Sequence, residues 1–269
     1  MRGLILFAFA LCAHAQWLNY RDPRTPRVKD GKPNLVAPAP RLNGKPDFSG
    51  LWEADATPRS ELDTILGHGF FDLQIDVPNL SKYMINLLWD FKPEEDPSRP
   101  EALALVKQRS ESESLPGSRC LPNTIPLTPL ILPFKIIQTP QQIVMLFEHY
   151  DPPRQIYMDG RTLPKDLEPS WMGYAAGKWQ GDSLVVESAG FNGKTWLDAA
   201  GHPRSESARM VERYHRRDFG HMDIDLTVND LTYYKQPFTV KLPFHLIPDS
   251  DVLEAVCAEN EKDRIHVVN

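Results

Sequence analysis

The sequence lacks most of the signals that would assign it a chemistry. It has no excess of basic charge, since 30 lysines and arginines face 36 aspartates and glutamates for a formal net charge of −6. No basic run and no RNA-binding aromatic motif occurs. Phosphate backbones need a basic surface, so the composition argues against a nucleic-acid partner. After residue 15 no apolar run approaches the ~20 residues that a membrane-spanning helix requires. A dinucleotide fingerprint is missing, with no Gly-x-Gly-x-x-Gly, and so is the Gly-x-Ser-x-Gly elbow of serine hydrolases. Gly193-Lys194-Thr195 has the end of a P-loop, but Ser188 stands where its first glycine is required and no helix follows. The histidines show neither His-x-His nor His-Glu-x-x-His spacing, so no metal site and no cofactor is expected. Cysteines are few: Cys12, Cys120 and Cys257.

Met1–Ala15 reads as a secretory signal. Arg2 supplies the positive start, Leu4–Leu11 the apolar stretch, and Ala13-His14-Ala15 a small-x-small cleavage site. The mature chain is expected to begin near Gln16 and to be periplasmic or secreted. Lipidation at Cys12 is the alternative, although Phe9-Ala10-Leu11 makes a poor lipobox. Two cysteines then remain, and an even count in an exported chain favours a Cys120–Cys257 disulfide over two separate buried thiols. That bond would close a loop of more than 130 residues. The chain-entropy model gives such a loop ~4–5 kcal/mol.

What the sequence has in quantity is proline, 25 residues in 269. This density disfavours long helices. Residues 16–46 hold six of these prolines and form an expected extended arm. The helix candidates lie in residues 60–110: Ser81–Phe91, with Tyr83, Met84, Leu87, Leu88 and Phe91 on one stripe, and Asp96–Gln108. Elsewhere the pattern has period two. Strands are predicted at Asp47–Glu53, Phe134–Gln138, Ile143–Tyr150, Arg154–Met158, Gly173–Trp179, Ser183–Glu187, Ala208–Arg217, Met222–Val228, Thr239–Leu242 and Leu253–Cys257. About nine or ten short strands at even spacing imply a sandwich or an antiparallel barrel. We expect a mainly β protein, with residues 47–269 forming one antiparallel, lipocalin-like (calycin-type) barrel that carries a small helical insertion.

The 208–228 hairpin offers the sharpest site argument. Met222, Ile224, Leu226 and Val228 share one face and must point inward. With a loop of two or four residues, Val211, Arg213 and His215 also face inward, and Glu212, Tyr214 and Arg216 face out. A three-residue loop with a bulge reverses this and puts Arg213 and His215 in solvent. Two polar clusters lie at predicted turns: His149, Asp151, Arg154, Tyr157, Asp159 and Arg161, and then Asp198, His202, Glu206 and Arg209. Such groups can converge at a barrel mouth for acid–base chemistry, or simply cap turns and pair on the surface. The candidate acid–base groups are His215, His202, Asp198 and Asp159, with Tyr157 beside them. The candidate ligand-binding residues are Arg213, Arg154, Trp171 and Trp196.

Three segments resemble a family of exported bacterial proteins common in acidobacteria: Gly44–Trp52 (GKPDFSGLW), Gly177–Glu187 (GKWQGDSLVVE) and Glu254–Asn260 (EAVCAEN). The middle one matches the pattern G-K-W-x-G-D-[ST]-L-V-V-E. The resemblance implies an exported, lipocalin-like barrel with the two cysteines bonded, and it carries no catalytic residues over. Glu261 departs from it, where a second asparagine is expected. On this basis the chain is expected to bind a small, partly apolar molecule inside the barrel. The alternative is a hydrolase, lyase or isomerase acting on a small glycoside or polyketide-like substrate.

Overall fold

The computed structural model describes residues 20–66, 79–112 and 115–257. The expected leader, the start near Gln16 and the segment Ala258-Glu259-Asn260 lie outside these. A two-residue ribbon, β1 (Arg41–Leu42) with β2 (Lys45–Pro46), precedes the main sheet. The barrel strands are β3 (Gly50–Ala54), β4 (Phe134–Gln138), β5 (Gln142–Phe147), β6 (Arg154–Tyr157), β7 (Tyr174–Gln180), β8 (Ser183–Ala189), β9 (Arg209–Arg216), β10 (His221–Asn229) and β11 (Phe238–Leu246). They close in the order β10-β11-β3-β4-β5-β6-β7-β8-β9. Closure leaves the barrel itself without an open edge strand.

The expectation of a barrel holds, but not that of an all-antiparallel one. An odd number of strands cannot alternate direction around a closed ring. The mismatch falls between β6 and β7, which pair in parallel, with Ile156 opposite Ala175. Residues 158–173 carry the chain back across the barrel, as a parallel connection requires. Leu253–Cys257 is not a strand either. After β11 this tail climbs the outer wall, where Lys135 Nζ binds Asp251 at 2.6 Å and the Leu253 N–H donates to Glu148 Oε1 at 3.1 Å. It ends in the disulfide from Cys257 to Cys120.

β3, β5, β8 and β10 all finish at one end of the barrel, called the upper end below. Residues 55–133 cap it. They hold α1 (Arg59–Leu66), α2 (Lys82–Ile85), α3 (Pro100–Ser112), a 3-10 turn (Pro116–Arg119) and α4 (Thr128–Ile131). The stripe read over Ser81–Phe91 yields only one turn of helix, because Asn86 leaves the helical region and the Leu87 N–H donates to Asp198 Oδ2 at 2.7 Å. A tertiary partner there outbids the helix. α3 starts later than Asp96, at Pro100, whose missing N–H and preset φ suit the first helical position.

Side chains fill the lumen. Trp52, Phe134, Phe244 and Met222 have no exposed surface. The segment Ile125–Leu130 plugs the upper end, with Leu127 fully buried and Ile125 and Leu130 nearly so. Between plug and strands remains a cavity of about 10 Å³ bordered by Ile125, Pro129, Met145, Glu212 and Tyr214. That is room for about one water molecule.

Candidate functional site

The β9–β10 hairpin turns over Asp218-Phe219-Gly220, with the Arg217 N–H bonded to the His221 carbonyl at 2.9 Å. Three residues set the register as Met222 opposite Arg216, Ile224 opposite Tyr214 and Leu226 opposite Glu212. The inward reading of Arg213 and His215 is therefore overturned. Both stand on the outer wall, His215 exposed and Arg213 half-buried, where Arg213 donates to Gln180 Oε1 at 2.9 Å. Glu212, Tyr214 and Arg216 take the inner face.

In the lumen Glu212 and Tyr214 meet Arg154, which β6 also points inward. Its Nη1 donates to Glu212 Oε1 at 2.9 Å and to Tyr214 Oη at 3.3 Å, and its Nη2 donates to Ser188 Oγ at 2.9 Å and to Glu212 Oε2. Tyr214 Oη donates back to Glu212 Oε1 at 2.9 Å. Burial works against the Arg154 charge, but the Glu212 carboxylate more than offsets it and holds the guanidinium above its usual range. Burial, and then Glu212, push the Tyr214 hydroxyl up as well. A second buried cation, Arg204, has no carboxylate in contact among the described residues. It donates to the Ile125 carbonyl and to Thr195 Oγ1, both at 2.6 Å, and lies 4.0 Å from the Phe191 ring. Burial and the neighbouring Arg154 push it down to about 9, with Asp230 opposing. Its Nε has no partner among the described residues. Thr124, which accepts from Arg204, has a φ of 65°, a strained value for a β-branched residue.

The predicted acid–base residues do not form one site. Asp198 and His202 do meet at the upper end, with Nδ1 to Oδ2 at 2.6 Å and both side chains nearly buried. The dyad is held in place by backbone donors, since Asp198 Oδ1 accepts the N–H groups of Gly201 and His202 at 3.1 Å each. His202 Nε2 has no hydrogen-bond partner among the described residues. Trp196 is buried nearby beneath Arg109, 4.9 Å from its ring. Trp171 is half-buried and offers its carbonyl to Arg204 at 3.4 Å. A second dyad, His149 with Asp151 at 2.7 Å, is spent on the plug, because Asp151 also binds Thr128 Oγ1 at 2.6 Å and the Asn123 N–H at 2.8 Å. Tyr157 and Asp159 lie on the outer wall, where Asp159 pairs with Arg161 at 2.9 Å and Arg161 covers the Tyr157 ring at 4.0 Å.

Sequence reasoning missed the lower end. There the proline-rich arm, the start of β3 and the tail after β11 surround a pocket of about 200 Å³. Leu51, Phe219, Leu246 and Ile247 form its apolar wall. Arg216, 4% exposed, lines it, held by the carbonyls of Asp218 (3.1 Å), Asp47 and Phe219 and stacked 4.9 Å from the Trp52 ring. Burial pushes its guanidinium down to about 10, with Asp47 and Asp218 opposing. No pattern in the sequence joins residues 20–51 to 216–251. The available hint was the alternative hairpin register, which turns Arg216 inward. No described cluster of histidine, cysteine and carboxylates suits a metal ion. Comparison with family models, with curated proteins and with solved structures finds no match for this chain.

Proposed function

We propose that this is an exported binding protein for a small, partly apolar molecule, held in the pocket at the lower end of a lipocalin-like barrel and not in the lumen. The observation that carries this reading is the 200 Å³ pocket that joins an apolar wall to the buried cation of Arg216. The lumen, by contrast, has space for about one water. The pocket is smaller than the ~300–1,000 Å³ of drug-sized sites, which restricts the ligand to a handful of heavy atoms. The Cys120–Cys257 bond supports a periplasmic or secreted location, since disulfides persist in oxidising compartments. On this reading the chain is one of the acidobacterial-type exported proteins that it resembles.

The test is native mass spectrometry of the protein purified from its own compartment, followed by denaturation and identification of what is released. A stoichiometric small molecule that Ser250→Trp, at the pocket rim, excludes without unfolding the chain is the expected result. A ligand unaffected by that change, or none at any level, overturns the assignment. A second reading, acid–base catalysis, rests on the Asp198–His202 dyad with its uncommitted Nε2. It requires a substrate whose turnover falls by ~10² or more in His202→Gln with folding intact.

A further inference from the structure

We propose that the lower pocket recognises a small zwitterion of the amino-acid type, with its carboxylate on Arg216 and its ammonium group on Asp47, a refinement that rests on the binding reading above. The argument is one of leftover charge. Three of the carboxylates around the pocket already have cations: Asp22 holds Arg24 at 2.7 Å, Asp251 holds Lys135 at 2.6 Å, and Asp249 holds Arg27 at 2.6 Å. Among the charged side chains that line the pocket, Asp47 and Arg216 remain.

The two are neighbours, since Arg216 Nη1 donates to the Asp47 backbone carbonyl, yet their side chains form no ion pair with each other. Arg216 has five N–H bonds to give. Three go to carbonyl oxygens, one from each nitrogen. One N–H is left on each terminal nitrogen, available to a carboxylate oxygen. The Asp47 carboxylate accepts the Ser49 N–H at 2.9 Å and makes no ion-pair contact among the described residues. A cation and an anion that make no ion-pair contact among the described residues share a wall with Leu51, Phe219, Leu246 and Ile247. A pure anion would meet Asp47 and a pure cation would meet Arg216, so either is opposed by one of the two. A molecule with both charges and a short aliphatic chain is opposed by neither.

Isothermal titration calorimetry of the mature, disulfide-bonded protein tests this with three probes: leucine, 4-methylpentanoate, which lacks the amino group, and 3-methylbutylamine, which lacks the carboxylate. Leucine should bind best, and each analogue should be weaker by roughly tenfold or more, the value of one charge-assisted contact. Asp47→Asn should weaken leucine by a similar factor and leave 4-methylpentanoate unchanged or tighter. This variant is preferred to one at Arg216, whose three carbonyl contacts support the fold. Equal binding of 4-methylpentanoate and leucine, or an Asp47→Asn variant with wild-type preferences, overturns the zwitterion while the pocket reading stands. No binding of any probe alongside a different co-purified ligand does the same. No binding and no co-purified ligand overturns both.

Discussion

Glu212→Gln should unfold at a markedly lower temperature than the parent protein. The side chains of Arg154 and Glu212 are 2% and 4% exposed, so neither charge has water to fall back on. Removing the carboxylate leaves the Arg154 guanidinium with the neutral oxygens of Ser188, Tyr214 and the new amide, and its Nε already has no partner among the described residues. The Arg204 cation nearby makes the position worse. Breaking one side of a buried pair costs about 3–5 kcal/mol. At ~2–4 °C per kcal/mol for a domain of this size, Tm should fall by roughly 6–20 °C. The control is the double variant Arg154→Met/Glu212→Leu, which removes both charges at similar volume and should regain most of the loss. Urea and thermal unfolding followed by near-ultraviolet circular dichroism, with unchanged m values, measure both. A Glu212→Gln variant that costs less than ~1 kcal/mol, or a double variant no more stable than the single one, would refute the view that an isolated lumenal charge is what the pair prevents.

Three further outcomes are expected. Reducing the Cys120–Cys257 bond, which spans 137 residues, should lower stability by ~4–5 kcal/mol in urea titrations with and without reductant. Hydrogen bonds to Asp55 and then Glu53 raise His245 to about 9. A folded value above the unfolded ~6.5 means that this contribution is complete below about pH 6.5 and fades as pH rises towards 9. Unfolding curves across that window should show the loss, and His245→Gln should flatten it. Arg213→Ala and His215→Ala, on the outer wall, should each change stability by less than about 0.5 kcal/mol, and a larger loss in the same unfolding assay would contradict the three-residue turn.

Strand positions were legible because they are local. Phe134–Gln138 was read to the residue, and Met222–Val228 to within one residue at each end, from alternation and turn chemistry alone. The disulfide was equally accessible, since the expected loss of the leader with Cys12 leaves two cysteines and one pairing. The candidate site was far less so. Arg154 and Glu212 are 58 positions apart, and Asp198 meets the Leu87 N–H across 111. No periodicity encodes such meetings, so turn residues such as Asp159 and Asp198 looked alike although one is exposed beside Arg161 and the other is buried under α2.

The β9–β10 hairpin divides the two kinds of information most cleanly. Alternation in Met222–Val228 is enough to establish its inward face, because a period of two matches the pleat. Its partner carries Met210, Glu212, Tyr214 and Arg216 on one face and Val211, Arg213 and His215 on the other, so hydropathy cannot choose between them. One residue in the turn makes that choice, and a slip of one exchanges every side chain between lumen and solvent. Closure into nine strands is decided in the same non-local way. The parallel joint between β6 and β7 follows from the ring as a whole, and the lower pocket exists only where the arm, the hairpin turn and the tail after β11 come together.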